Sequence, residues 1–159
     1  AIAGRSDIME HMDHRKYSGS DFCFQGGTGA ANVLTLVAGE ATIRTLQDEP
    51  VYDKIDRLGE RTRTRLSEMF TRLGFNARVT GIGSLFGIHF TKKKEIHDLR
   101  HFSEEHVERA KRLFAFLLKN RIVLLSTELP HGVISYLHSE SEIDTLVSRI
   151  EDFVKTETR

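Results

Sequence analysis

The residues of this 159-residue chain best suited to hold a ligand are Gln25-Gly26-Gly27-Thr28-Gly29-Ala30-Ala31-Asn32, which run directly into an apolar, helix-patterned segment beginning at Val33. Small residues let a ligand approach the backbone closely, while the free N–H groups and dipole of a helix start add partial positive charge. An anion is the expected guest, and phosphate the commonest one. The stretch matches neither the P-loop nor the dinucleotide fingerprint, and Gly26 and Gly27 also suit an ordinary tight turn. Thr28, with a hydroxyl and an N–H to offer, separates the two readings.

Other reactive side chains form weaker patterns. Of the eight histidines, His11 with His14, and His97 with His101 and His106, have helix-like spacings. Zinc needs three or four convergent ligands, and neither a second cysteine nor an HExxH pattern is present, so no metal site is assigned and surface positions near helix ends are expected. Lys92-Lys93-Lys94 lacks interleaved aromatics and reads as a solvated loop. There is no Gly-x-Ser-x-Gly elbow, and Cys23, the single cysteine, has no local activating partner and is expected to be buried and inert. No catalytic acid, base or nucleophile is assigned.

Twenty-three basic side chains balance 23 acidic ones, so there is no global pull towards nucleic acid or an anionic membrane. A lone cysteine excludes an intrachain disulfide, no apolar run has the length of a membrane span, and no signal-peptide layout opens the chain. The chain reads as soluble and cytoplasmic. Its start, Ala1-Ile2-Ala3-Gly4-Arg5, without methionine, reads as a cut end.

The elements that must position the stretch follow from periodicity. Ala1 to Gly4 reads as a short buried strand, and Ser6 as the cap of a helix over Asp7 to Met12. Residues 13 to 21 form a polar surface loop. Val33 to Leu46 is apolar around most of a helix circumference, the mark of an enclosed helix. Asp48, Glu49 and Pro50 predict the start of a second, amphipathic helix with Val51, Ile55, Leu58, Leu66, Met69 and Leu73 on its stripe and Gly74 at its C′ position. Phe75 to Thr80 and Ser84 to Phe90 read as a hairpin about Gly81-Ile82-Gly83. A polar loop follows to Phe102. Ser103 caps a helix that stops at Asn120, and its apolar face is Val107, Ala110, Leu113, Phe114, Leu117 and Leu118. Ile122 to Leu125 and Val133 to Leu137 read as strands. Ser139 to Glu142 is a capping box for a last helix with Ile143, Leu146, Val147, Ile150, Phe153 and Val154 on its stripe and frayed residues from Lys155 to Arg159. The fold class is α/β, with an α+β C-terminal part: residues 1–50 as the end of one domain, 51–74 as a connector helix, and 75–159 as a small domain with helices on one face of an antiparallel sheet.

Four collinear segments carry a family likeness: Ala1 to Met9; Phe24 to Thr28 with Asn32 and the following Ala38-Gly39-Glu40-Ala41-Thr42; Gly83 to Thr91; and Ser135 to Ser139 with Ile143-Asp144. Together they resemble the later part of a class III pyridoxal-phosphate aminotransferase of fold type I, closest in pattern to glutamate-1-semialdehyde 2,1-aminomutase. The resemblance implies a seven-stranded large domain followed by a small α+β domain. It also implies a homodimer, pyridoxal 5′-phosphate as cofactor, and small amino and keto compounds as substrates. It gives Thr28, with Gly27 making room, the cofactor phosphate of the neighbouring subunit. The family's Schiff-base lysine and the aspartate for the pyridine nitrogen would lie upstream of Ala1. None of Lys16, Lys54, Lys92, Lys111, Lys119 or Lys155 has the lysine's context, so this stretch alone is expected to be an inactive C-terminal fragment.

Two departures bear on specificity. Gly29-Ala30-Ala31-Asn32-Val33 stands where the aminomutase has leucine-serine-glycine-asparagine-proline, and Thr127-Glu128-Leu129-Pro130-His131 stands where a serine-glutamine pair is usual. A class III aminotransferase of other specificity therefore stays open, as do a non-catalytic dimerisation module of the same fold and an independent phosphate-binding regulatory domain.

Overall fold

The computed structural model describes residues 2–93, 95–96, 98 and 103–158. Ala1, Lys94, His97, His101, Phe102 and Arg159, which entered the expectations above, lie outside the described residues. The chain divides into two units, Ala1–Thr45 and Leu46–Arg159.

In the first unit, helix α1 spans Ser6–Met9 and continues as a 3-10 turn over Glu10–Met12. Ser6 is the first helical residue and not the cap. Arg5 takes that position, its Nε donating to the Asp7 carboxylate at 3.0 Å, and no side chain caps the helix. His11 closes the polar loop. Its Nδ1 donates to the Asp21 carbonyl (2.7 Å), its own carbonyl accepts the Cys23 N–H (2.8 Å), and its ring stacks on Tyr17 at 4.2 Å. Residues 2–4, expected in a buried strand, are exposed and irregular, because no described segment lies alongside to pair with them. Cys23 is exposed, not buried, as is Phe24 beside it, because none of the buried hydrophobic residues described lies in the first unit. Helix α2, Val33–Asp48, forms as its periodicity requires, but Val33, Leu34, Leu36, Val37 and Ile43 are all exposed where an enclosed helix was expected.

The second unit is built on α3, Val51–Arg72, whose N-cap position is taken by Pro50 and not by Asp48, because Asp48 completes α2. Its buried stripe is Val51, Leu58, Thr62, Leu66, Met69 and Phe70. Gly74, at φ +62°, ends it in a Schellman motif: the Gly74 N–H donates to Thr71, the Phe75 N–H donates to Phe70, and the Phe70 and Phe75 rings stack at 6.1 Å. The chain then forms the hairpin of β1, Arg78–Thr80, and β2, Leu85–His89, with Val79 opposite Ile88. Phe86 and Ile88 point into the core, as their alternation requires.

Helix α4, Glu104–Lys119, is capped by Ser103, whose Oγ accepts the His106 N–H at 3.3 Å, and it ends at Asn120. His106 is fully buried in it, against the expectation of a surface histidine. Its Nδ1 accepts the Phe90 N–H (3.0 Å) and its Nε2–H donates to the Glu128 carbonyl (3.0 Å), so the ring is the Nε2–H tautomer and ties β2 to the segment before β3. Strand β3 is only His131–Val133, antiparallel to β2 and giving the sheet order β1-β2-β3. Ile122 to Leu125 is no strand. One backbone bond, Leu125 N–H to His131 O (3.0 Å), links it to β3, and Arg121 in the left-handed region (φ +62°) turns the chain before it. Val133 to Leu137 leaves the sheet after Val133 because the Ser135–His138 turn takes over the backbone. Helix α5, Glu140–Glu157, has the expected capping box, and its six stripe residues are all buried. Its end is anchored, not frayed, through residue 157: Arg109 and Arg112 donate to the Glu157 carboxylate. Helix α3 packs on β1, β2 and α5, and α4 on α5, around one core.

No helix of the described residues is long and apolar enough to cross a membrane. Among them no group of three or more His, Cys, Asp or Glu side chains could hold a metal ion.

Two helical glycines have opposite consequences. A Cβ on Gly59 would lie 2.0 Å from the Gly83 carbonyl oxygen, whereas one on Gly39 in α2 would meet nothing within 4 Å. Gly59→Ala is expected to destabilise the chain by at least about 2 kcal/mol and Gly39→Ala to strengthen α2 by about 1 kcal/mol, read by urea unfolding and by amide exchange. Burial and the neighbouring His106 hold His89 down at a pKa of about 4. A histidine that folds with a lowered pKa contributes fully above about pH 6.5 and loses that contribution as pH falls towards its folded value. The urea midpoint should therefore drop between pH 7 and 4.5, and His89→Gln should flatten that part of the profile.

Candidate functional site

The glycine stretch folds as two consecutive turns and not as the helix start itself. The Gly27 carbonyl accepts the Ala30 N–H (2.9 Å), closing a turn over Thr28 and Gly29, and the Gly29 carbonyl accepts the Asn32 N–H (3.3 Å). Ala31, in the left-handed region at φ +57°, redirects the chain into α2. Asn32 is the N-cap: its Oδ1 accepts the Thr35 N–H (3.2 Å) and its carbonyl accepts the Leu36 N–H (3.0 Å). The expected cradle draws on the free N–H groups of the helix start. Asn32 takes one of them, and Thr28 stands four residues ahead of the cap.

Thr28 is exposed, and no hydrogen bond among the described residues engages its hydroxyl or its N–H. A Cβ on Gly27 would meet nothing within 4 Å, so the chain's own packing makes no demand for glycine there. At Gly26 a Cβ would lie 2.6 Å from the tip of the Phe24 ring, an exposed side chain with room to swing aside. A bare, open backbone at Gly27 beside an uncommitted O–H and N–H at Thr28 has the donor chemistry a phosphate requires, and in this sense the residues fit the cofactor that the resemblance implies.

The two later segments of the likeness are accounted for by structure. Gly83 to Thr91 contains the central strand. Gly83 lets α3 approach, and Arg63 Nη1 donates to the Gly83 (2.6 Å) and Leu85 (2.8 Å) carbonyls. In Ser135 to Ser139, His138 Nδ1 accepts the Ser135 N–H (2.9 Å), while Lys54 Nζ donates to the Tyr136 carbonyl (2.6 Å) and lies over its ring at 4.6 Å. The Glu49 carboxylate raises the pKa of the Tyr136 hydroxyl. Sequence reasoning missed Asn32 as a cap, although asparagine immediately before an apolar-periodic run is a standard start signal. The left-handed Ala31 carries no comparable signal.

Solved transaminases share this fold over about a third of their own length. An ω-transaminase from Sphaerobacter thermophilus superposes with a TM-score of 0.79 at 26% identity over 96% of this chain and 34% of its own. A transaminase solved with PLP bound superposes at 0.76 with 25% identity over 97% of this chain. Among curated relatives, the glutamate-1-semialdehyde 2,1-aminomutase of Methanosphaera stadtmanae is 28% identical over 151 residues, which is 95% of this chain and 34% of the relative. No protein-family model matches. The resemblance read from the sequence is borne out by these likenesses, and the chain spans about a third of the length of the curated relatives it matches.

Removing the cap tests how α2 is held behind the turn. Asn32→Ala is expected to cost about 1 kcal/mol of helix stability, seen as faster amide exchange at Thr35 and Leu36.

Proposed function

We propose that this chain is the C-terminal third of a pyridoxal-phosphate-dependent class III aminotransferase or aminomutase, acting on small amino and keto compounds as a homodimer. The observation that carries the reading is the similarity of 95% of the chain to an aminomutase and of 96% of it to an ω-transaminase. In this proposal residues 1–50 close the cofactor-binding domain, 51–74 connect, and 75–159 form the small domain. Bound pyridoxal phosphate supplies the electron-withdrawing ring on which amino-group transfer depends.

The role proposed for the chain's own residues is binding and orientation. Thr28 donates its hydroxyl and N–H to the cofactor phosphate in the neighbouring subunit's site, and Gly27 lets that phosphate reach the backbone. Both donors are uncommitted among the described residues, which supports the assignment. No lysine of the chain is assigned the covalent attachment, so the chain alone is proposed to be inactive.

The test uses the full-length polypeptide. Adding pyridoxal phosphate should produce a visible absorbance band that an amino donor then shifts, and Thr28→Ala should weaken cofactor retention about tenfold, the loss expected for hydrogen bonds to a charged group. Absence of any cofactor band would overturn the reading. A band with retention unchanged in Thr28→Ala would leave the enzyme standing and remove the residue.

A further inference from the structure

The turn that carries Thr28 has to be fixed in space before its hydroxyl and N–H can meet one phosphate, and within the first unit it is restrained from two sides. Downstream it runs into Ala31 and the Asn32 cap of α2. Upstream, Phe24, Gln25 and Gly26 make no hydrogen bond among the described residues, so the restraint on that side begins at Cys23. His11 supplies it. The His11 carbonyl accepts the Cys23 N–H (2.8 Å), and the ring Nδ1–H donates to the Asp21 carbonyl (2.7 Å), so one residue clasps the returning chain twice. No other hydrogen bond among the described residues joins residues 21–28 to residues 2–12.

The polar loop is folded to deliver the chain to that clasp. The Asp13 carbonyl accepts the N–H groups of Lys16 (3.0 Å) and Tyr17 (3.1 Å), which makes a turn of residues 13–17 and lays the Tyr17 ring on the imidazole, centroids 4.2 Å apart. Gly19, at φ +59°, then opens the 3-10 turn Gly19–Asp21 that returns the Asp21 carbonyl to His11. His11 and Tyr17 are half-buried in a segment that is otherwise mostly exposed. From a fixed Cys23 the chain reaches Gly27 over at most about 14 Å. With the imidazole removed, one backbone bond is left to close the loop, and when that bond opens the free tether begins at Met12. The entropic cost of placing the turn rises with the logarithm of that length.

We infer that His11 is a positioning residue of the phosphate turn, acting through Thr28: its clasp on Asp21 and Cys23 sets where Thr28 presents its two donors. The inference rests on the cofactor reading of Thr28 and extends it to a residue outside the glycine stretch.

The test uses the full-length polypeptide and reads pyridoxal phosphate retention, together with amide exchange of the cofactor-free protein followed by mass spectrometry. His11→Ala is expected to lose about fivefold in retention, the cost of the longer tether, and to speed exchange over residues 22–30. His11→Asn, whose amide nitrogen stands as many bonds from the backbone as Nδ1, should restore most of the retention, whereas His11→Gln, with its amide one bond further out, should not. Adding His11→Ala to Thr28→Ala should lower retention no further, because the clasp works through the threonine. The inference alone is overturned if Thr28→Ala weakens retention and His11→Ala does not, if the two losses multiply, if His11→Asn behaves as His11→Ala, or if exchange over residues 22–30 is unchanged. Normal retention in Thr28→Ala would instead remove the Thr28 assignment, and the role of His11 with it.

Discussion

The second unit depends on one close approach, that of α3 to the β1–β2 turn. Gly59 has no side chain, so the helix backbone comes within contact of the Gly83 carbonyl, and one turn later Arg63 reaches across to bind the Gly83 and Leu85 carbonyls. Those carbonyls sit where the hairpin reverses and would otherwise compete for water at the edge of the core. A guanidinium with several fixed donors satisfies two of them at once. This sets the height of the helix over the sheet, and Leu66, Met69, Phe86 and Ile88 fill the space that it leaves.

From that seam the remaining packing follows. The Schellman motif at Gly74 turns the chain from α3 into β1 without a long loop, and Phe75, stacked on Phe70, carries the core around the corner. His106 then performs with side-chain atoms what a further strand would do with backbone: it takes the Phe90 N–H and supplies a donor to Glu128. Its neutral, buried state is kept by desolvation, which lowers its pKa, so acid acts on this joint as well as on the surface ion pairs. On α5, Asp144 receives Arg61 and Arg65 from α3, and Glu157 receives Arg109 and Arg112 from α4, so both ends of the last helix are tied to the other two.

Much of this was legible in residue order. The α5 stripe, its capping box, the Ser103 cap, the hairpin about Gly81 to Gly83 and the Gly74 stop each depend on neighbours within a few positions, which is the range over which periodicity and capping speak. What escaped depends on distant partners. The burial of His106 requires the N–H of Phe90, just past β2, and a carbonyl from residue 128, and Ile122 to Leu125 meets β3 through a single backbone bond from Leu125. Val33 to Leu46 was correctly read as a helix, yet enclosure is a property of what surrounds it. At the candidate site, Thr28 stood out by its type and setting, while the division of labour, in which Asn32 caps the helix and frees Thr28, needed the turn geometry at Ala31.

The exposed thiol of Cys23 has a practical consequence. It is the chain's single cysteine, so any thiol-directed reagent lands on one atom, five residues before Thr28 and on the same loop. A spin label or fluorophore placed there reports on the glycine turn, with no competing thiol among these 159 residues. Within these 159 residues the thiol has no second cysteine to pair with, so a disulfide at Cys23 draws its partner from outside them and places that junction next to the turn with Thr28.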